Sequence, residues 1–271
     1  MAGVIQLHGE DVSRVEPLFA AYDYDRSLIG GVLEDKNPGH VFCEWGANPT
    51  AAILFHPVDY AYLAGDARAI RIETLVVDAP RAASLEISDF ELFAPRQTTW
   101  IAALRAAFGS RLERDTYEYF AFARARESWV RDWQSRLPDG IEVVAMDEDL
   151  AQRAQQDRNL QVTTGQTWGG YDRFVESGFG FIALIDGEPV AAISTFSLGH
   201  GEAEIDIATH PDYRRRGLAT LLGCAYVCHC LDRDLTPSWT ANYGNLGSAA
   251  TARRLGFVDR FAMPCFTITS A

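Results

Sequence analysis

Apolar runs separated by turn residues predict both strands and helices in the first half of the chain. The segment 45–65, WGANPTAAILFHPVDYAYLAG, predicts two strands joined at Asn48-Pro49. The segment 98–109, TTWIAALRAAFG, carries its large apolar residues at helical spacing and predicts a helix capped by Thr98 or Thr99 and ended by Gly109. The alternation in DTYEYFAFAR, residues 115–124, predicts a further strand.

The second half has a clearer pattern of elements. The run 178–198, GFGFIALIDGEPVAAISTFSL, predicts a hairpin turning at Asp186-Gly187. GEAEIDIAT, residues 201–209, alternates as a strand with two distinct faces does. A helix over 217–233, a strand in TPSWTAN, a helix over 245–255 closed by Gly256 and a last strand in MPCFTIT complete the order.

A junction between the halves is indicated by SRLPDGIEVVAMDEDL, residues 135–150, where a Pro-Asp-Gly turn signal precedes a β-branched run. A length of 271 residues favours two domains over one. The boundaries we predict are 1–137 for a mixed α/β domain without a chemical motif of its own, and 138–271 for the domain that carries the chemistry.

Composition and charge narrow the choice of partners. A formal net charge of -13 and a pI near 4.9 disfavour nucleic acid and anionic membranes, and favour cationic or neutral partners. The N-terminus lacks a basic start followed by an apolar core, and the odd number of cysteines fits reduced thiols, so we expect a cytoplasmic protein. The cluster CAYVCHC, residues 224–230, is not expected to bind metal, because on a helix Cys228, His229 and Cys230 point in different directions.

Positive charge is concentrated in HPDYRRRGLATLLG, residues 210–223. A strand, a tight turn and a helix beginning near Gly217 would present free backbone N–H groups and a partial positive charge, which suit a diphosphate. The arginines would attract a polyanion to an otherwise acidic protein. The alternative, a solvated surface loop, remains open at this point.

Arg214, Gly217 and Ala219 spell R-x-x-G-x-A, and this stretch resembles the acyl-CoA-binding turn of the GNAT acetyltransferase superfamily. The later NLGSAATARRLGF, residues 245–257, resembles that superfamily's next motif. GFGFIAL, EIDIATHPDYRRRGLAT, LTPSW and the earlier DFELFAPRQTTW are similar to a two-domain group that includes zwittermicin A resistance acetyltransferases.

The resemblance implies an α/β (α+β) fold class: a C-terminal GNAT fold with a mixed, splayed central sheet flanked by helices, and an N-terminal mixed α/β domain. One interpretation of the N-terminal domain is a degenerate GNAT-like half. It implies acetyl-CoA as cosubstrate and no metal. The residues expected to bind acetyl-CoA are Ile207, Ala208, Thr209, Arg214, Arg215, Arg216, Gly217, Leu218, Ala219, Thr220, Asn245 and Ser248.

Candidate catalytic groups follow from the chemistry of acetyl transfer to an amine. Glu204 and Asp206 share a strand face, and either could accept the amine's proton; Glu204 is preferred because superfamily members often use a glutamate there. Both could instead be solvated, or hold a cationic substrate. Many members have a tyrosine where this chain has Ala252, which leaves Tyr243 and Ser248 as the nearest hydroxyls for a general acid.

The sequence therefore predicts an N-acetyltransferase that moves an acetyl group from acetyl-CoA to a primary amine of a small molecule, such as an amino-polyol or other antibiotic. Two alternatives remain: a non-catalytic CoA-binding regulatory module, and an enzyme that acetylates a protein or aminoacyl-tRNA.

Overall fold

The structure, a computed structural model, describes residues 3–56, 58–82, 90–96 and 99–269. It divides into two compact units, one formed by residues 1–117 with 263–271 and the other by residues 118–262. The border that the sequence predicts, between residues 137 and 138, stays a prediction. Within the described ranges no helix is both long and apolar enough to span a membrane.

The strands, in chain order, are β1 Val4–Leu7, β2 His40–Glu44, β3 Ala51–His56, β4 Tyr60–Gly65, β5 Glu91–Phe93, β6 Leu112–Phe122, β7 Glu142–Ala145, β8 Gly180–Ile185, β9 Glu188–Gly199, β10 Glu202–Thr209, β11 Thr236–Asn242 and β12 Phe257–Ile268. The α-helices are α1 Glu16–Phe19, α2 Arg26–Leu33, α3 Ala79–Ala82, α4 Trp100–Phe108, α5 Glu127–Arg131, α6 Glu148–Gln156, α7 Thr164–Trp168, α8 Tyr171–Ser177, α9 Leu218–Asp232 and α10 Leu246–Leu255.

The first unit contains strands in the order β1-β2-β3-β4-β5, antiparallel except for the parallel pair β4–β5. Its core packs Ile53 and Leu63 of the sheet against Trp100 and Leu104 of α4, all fully buried. The helix predicted over 98–109 is confirmed as α4, but Thr99 at its N-cap makes no side-chain capping hydrogen bond, and Thr98 lies outside the described residues.

One turn in this unit differs from the sequence prediction. The segment 45–65 does hold two strands, β3 and β4, but their connection lies between His56 and Tyr60 and not at Asn48-Pro49, which precedes β3. The cause is the burial of every residue from Ala51 to His56, since such a run has no alternation that would locate its ends.

The second unit has the order β7-β8-β9-β10-β11, again antiparallel except for the last pair, β10–β11. The predicted hairpin is confirmed, with Asp186 at φ 51° and Gly187 at φ 79°, the left-handed backbone that a two-residue hairpin turn requires. β10, α9, β11 and α10 are confirmed within two residues at either end, whereas the last strand, β12, begins at Phe257, earlier than the predicted Met263.

Strand β10 has two faces with different neighbours. Ala203, Ile205 and Ile207 pack in the cluster that contains Leu222 and Tyr226 of α9. Glu204, Asp206 and Ala208 occupy the opposite face by alternation. The helix-facing side is therefore apolar, and the carboxylates lie on the side away from α9.

Strands β10 and β11 separate partway along their length. Their parallel pairing runs from Glu202 with Thr236 to Glu204 with Ser238 and then ends, although β10 continues to Thr209 and β11 to Asn242. Beyond Glu204 the edge of β10 that faces β11 is therefore open.

The cysteines of α9 belong to the interior. Cys224 and Cys230 are buried and Cys228 is half-buried. Helix α9 packs against the sheet and against α10, and Gly223 permits this, because a Cβ there would collide with Leu255 Cδ1. Among the described residues, no group of three or more His, Cys, Asp or Glu side chains could hold a metal ion.

Candidate active site

A cavity of about 660 Å³ lies in the second unit, where β10 and β11 separate. Its walls come from the end of β10, the turn to α9, the first turn of α9, β11, the start of α10 and the segment before α7. The lining residues are Asn159, Leu160, Gln161, Ile207, Ala208, Thr209, Tyr213, Arg214, Arg215, Gly217, Leu218, Ala219, Thr220, Trp239, Asn245, Gly247, Ser248, Thr251 and Arg254.

The N-terminus of α9 forms one wall of this cavity. Gly217 is its N-cap at φ 83°, and a Cβ built there would meet no atom within 4 Å. The backbone N–H groups of Leu218, Ala219 and Thr220 lie in the first helical turn, where no intrahelical carbonyl is available to them. This wall is an open cradle of donors with the positive end of a helix dipole behind it.

The three consecutive arginines have different positions. Arg214 and Arg215 line the cavity, and Arg214 Nε donates to the carbonyl of Thr209 at 3.2 Å. Arg216 turns away, with its Nη2 donating to the carbonyl of Asp212 at 3.2 Å and its guanidinium over the Tyr213 ring. Arg254 of α10 is the third arginine in the lining, which contains no carboxylate among the residues described. The cavity is therefore positive in a protein of net charge -13.

The open edge of β10 supplies further donors. His210 N donates to Val190 O at 2.9 Å, which fixes the alternation of the β9–β10 pairing. By that alternation the N–H of Ala208 points towards β9, and those of Ile207 and Thr209 point towards the side from which β11 has separated. Two of the three predicted strand donors thus face the gap between the strands.

The start of α10 is fixed by two hydrogen bonds. Asn245 is the N-cap, and its Oδ1 accepts from Ser248 N at 3.1 Å. Ser248 Oγ in turn accepts from Trp239 Nε1 at 2.9 Å. Tyr243 is 69% exposed and is not among the lining residues. Ala252 is fully buried in the core, so a tyrosine ring has no space at this position.

Glu204 lies at the point where the two strands diverge. Its Oε2 accepts from Ser238 Oγ at 2.5 Å, and its Oε1 accepts from the backbone N–H of Thr240 at 2.8 Å. In a continuous parallel ladder, Thr240 N would donate to a backbone carbonyl of β10. Here the Glu204 carboxylate accepts that hydrogen bond instead. Burial raises its pKa to about 7, against the opposing effect of the Ser238 and Thr240 hydrogen bonds. Glu204 is therefore close to half-ionised at neutral pH. Its partners Ser238 and Thr240 flank Trp239 of the cavity wall, although Glu204 is not itself a lining residue.

Asp206 has a different environment. Its Oδ2 accepts from Thr163 N at 2.8 Å and from Thr163 Oγ at 2.9 Å, and burial raises the pKa of this carboxyl. The bonds tie β10 to the segment that precedes α7, in which Gln161 has a left-handed backbone at φ 50°. Asn159 and Gln161 of that segment line the cavity, so Asp206 anchors part of its wall.

Sequence reasoning missed several lining residues. Thr251 lies one helical turn after Ser248 and Arg254 one turn further on, so helical periodicity from Ser248 would have found them. Asn159 and Gln161 line the cavity because the segment that contains them is bound to Asp206 through Thr163. No local pattern in the sequence indicates that contact.

Comparisons with known proteins agree with this fold. The family model of GNAT acetyltransferases matches residues 16–266. An uncharacterized N-acetyltransferase of Bacillus subtilis, YdfB, is 25% identical over 234 residues, which are 86% of this chain and 87% of that protein. A GCN5-related N-acetyltransferase-like protein from Streptococcus suis has a similar fold, with a TM-score of 0.73, 22% identity and coverage of 94% of this chain and 97% of that one.

A tandem GNAT protein from the clavulanic acid biosynthesis pathway shares the fold at a TM-score of 0.62 and 16% identity, over 98% of both chains. Since the family model spans nearly the whole chain, the protein belongs to the GNAT acetyltransferase family. It is an N-acetyltransferase of that family, whose fold normally uses acetyl-CoA.

Proposed function

We propose that the protein transfers an acetyl group from acetyl-CoA to a primary amine of a small molecule by direct attack in a ternary complex. The observation that carries this proposal is the cavity at the separation of β10 and β11, with its helix N-terminus and its three arginines. A thioester held beside an open strand edge and a diphosphate held at a helix N-terminus need this combination of donors.

The residues present fit acetyl-CoA. The absent Cβ at Gly217 leaves room for a diphosphate against the first-turn N–H groups of α9, and Arg214 and Arg215 supply positive charge. Asn245 and Ser248 would face the pantetheine arm, since both line the cavity from the start of α10. When bound, acetyl-CoA supplies an activated acetyl group.

The chain's own groups then have distinct tasks. Glu204, with a pKa of about 7, accepts a proton from the acceptor's ammonium group, through a water molecule because the carboxylate does not line the cavity. The neutral amine then attacks the thioester carbonyl, and the C–S bond breaks as the C–N bond is completed. The N–H groups of Ile207 and Thr209 donate to the carbonyl oxygen as it gains negative charge. Asp206 positions the wall at Asn159 and Gln161. Ala252 is buried and Tyr243 lies outside the cavity, so the proton for the leaving thiolate comes from the Ser248 hydroxyl, which lines the cavity, or from solvent.

The acceptor we propose is a small amine, such as an amino-polyol or another antibiotic, which the protein acetylates in the cytoplasm. The acidic chain favours a cationic acceptor. The segment EIDIATHPDYRRRGLAT, similar to zwittermicin A resistance acetyltransferases, forms much of the cavity. The two units repeat one strand order, β1–β5 and β7–β11, which supports a GNAT-like N-terminal half.

Gly217→Trp tests the binding site, because its side chain would fill the cradle. Gly187→Trp is a matched control: it also has a left-handed backbone, at φ 79°, and no atom within 4 Å of its Cβ position, but it lies in the β8–β9 turn. We expect calorimetry to show tight acetyl-CoA binding by the native protein and by Gly187→Trp, and none by folded Gly217→Trp. Unchanged binding by Gly217→Trp would show that the site is assigned wrongly.

A second candidate is a CoA-binding module without catalytic activity, which the burial of Ala252 favours. Release of free thiol from acetyl-CoA in the presence of a panel of amines separates the two. Amine-dependent release that follows saturation kinetics supports the enzyme. Tight acetyl-CoA binding with no release above the hydrolysis rate, for amines, proteins and aminoacyl-tRNA alike, supports the module.

A further inference from the structure

A second, smaller cavity of about 160 Å³ adjoins the first. Four residues line both cavities: Gly217, Leu218, Thr220 and Arg254. The first turn of α9 is therefore a wall with one cavity on each side. The remaining lining of the smaller cavity comes from Trp129, Arg136, Pro138, Arg216, Leu221 and Cys224.

The smaller cavity is also lined with positive charge. Arg136, Arg216 and Arg254 line it, and no carboxylate is found among its described lining residues. The nearest recorded acid to Arg136 is Asp132, with its Oδ2 3.9 Å from Nη1 and its side chain largely exposed. Such a pair is weak in water, so the three guanidinium charges are little compensated.

Arg136 is held in place before any ligand arrives. Its guanidinium lies 4.0 Å from the centroid of the Trp129 ring, and its Nη2 donates to Cys224 Sγ at 3.6 Å. Arg126 also lies over that ring, at 4.2 Å, and donates to the carbonyl of Arg254 at 2.7 Å. These contacts hold the planar guanidinium of Arg136 in one position at the cavity. Because guanidinium groups already cover the Trp129 ring, the cavity suits an anion and not a stacked base.

We propose that this second cavity binds the 3′-phosphate of CoA, so that the protein distinguishes CoA from 3′-dephospho-CoA. The inference rests on the proposed binding of the diphosphate in the first cavity. CoA carries a diphosphate and a separate phosphomonoester on the same ribose, and the structure offers two arginine-lined cavities on the two sides of one helical turn. The monoester has a charge near -2 at neutral pH and three acceptor oxygens, which a pre-positioned arginine fork matches.

Under this assignment the three consecutive arginines bind different phosphate groups of CoA. Arg214 and Arg215 line the diphosphate cavity, whereas Arg216 lines the 3′-phosphate cavity. The left-handed backbone at Arg215, φ 61°, reverses the chain between them. Arg254 lies between the two anions and contributes to both.

The test compares the dissociation constants of CoA and 3′-dephospho-CoA, measured by calorimetry at low salt. The native protein should bind CoA at least about 10-fold more tightly, the effect expected of hydrogen bonds to a charged group. In Arg136→Gln and in Arg216→Gln the ratio should fall below about 3, with the affinity for 3′-dephospho-CoA unchanged. Arg153→Gln removes the same charge from α6, outside both cavities, and should keep the native ratio.

The outcomes are separable. Equal native affinities for the two ligands overturn the proposal but leave the diphosphate site intact, whereas no binding of either ligand overturns the proposed function itself. A native preference that survives in both variants places the 3′-phosphate elsewhere and also overturns the proposal. If Arg136→Gln fails to fold, Arg216→Gln decides the matter, because its side chain is exposed and its loss removes no buried contact.

Discussion

The Glu204→Gln variant distinguishes between two roles for Glu204: a general base in catalysis, or a carboxylate that only keeps β10 and β11 apart. The amide retains an oxygen to accept from Thr240 N, and its NH₂ group can donate to Ser238 Oγ in place of accepting from it. The separation of β10 and β11 should therefore persist in Glu204→Gln. Only the capacity to take a proton is lost.

The expected loss of activity is large. A positioned general base contributes about 10²- to 10⁴-fold, so kcat/KM of Glu204→Gln should fall by at least about 100-fold while acetyl-CoA binding is unchanged. The native enzyme should also lose activity below pH 7, because the pKa of Glu204 is about 7 and only the ionised form accepts a proton. The assay is thiol release between pH 5.5 and 9, with affinity measured separately.

A matched variant tests the cause of the pH dependence. The Ser238 hydrogen bond lowers the pKa of Glu204, so Ser238→Ala should raise it and move the acidic limb of the profile to higher pH. If Glu204→Gln retains kcat/KM within about 3-fold of native, with the same acidic limb, then Glu204 is not the base and its role is limited to the strand separation.

Three further predictions concern stability and the tyrosine position. In the folded protein the pKa of Glu204 is raised from 4.5 to about 7, so the protonated carboxyl stabilises the fold at low pH and this stabilisation is lost as the pH rises. Between pH 4 and pH 8 the unfolding free energy should fall by up to about 3 kcal/mol relative to Glu204→Gln, as measured by denaturant titrations at both pH values. Asp206→Ala should lower the unfolding free energy by about 2 kcal/mol, because the N–H of Thr163 loses its acceptor, whereas Asp206→Asn should lose less; an equal loss in both would contradict this account. Ala252→Tyr should destabilise the fold by at least about 1–3 kcal/mol without raising kcat, since the site is fully buried; a stable and faster variant in thermal melts and rate assays would show that a tyrosine can reach the reaction from this position.

Local signals in the sequence were sufficient for the elements that carry the cavity. Asp186-Gly187 located a hairpin because only a few residue types adopt its backbone, and Gly256 ended α10 at φ 102° for the same reason. The alternation of β10 also placed Glu204 and Asp206 on one face. The position of the β3–β4 turn was missed, because the fully buried β3 gives no periodicity to locate its ends.

Contacts between distant segments were beyond sequence reasoning. Nothing near Asp206 indicates that Thr163 would bind its carboxylate, and nothing near Glu204 indicates that Thr240 would. The stacking of Arg136 on Trp129 depends on how 129–136 folds back against α9. The resemblance to GNAT enzymes indicated the turn that we propose binds acyl-CoA, but not the second arginine-lined cavity beside it.

The absence of a carboxylate from the described lining of the large cavity has a practical consequence. Without an internal counterion, the guanidinium groups of Arg214, Arg215 and Arg254 will recruit whatever multivalent anions the surrounding solution contains. Sulfate, inorganic phosphate and nucleoside triphosphates should therefore compete with the acyl donor, and a Michaelis constant measured in phosphate buffer will exceed the one measured in a zwitterionic buffer of equal ionic strength.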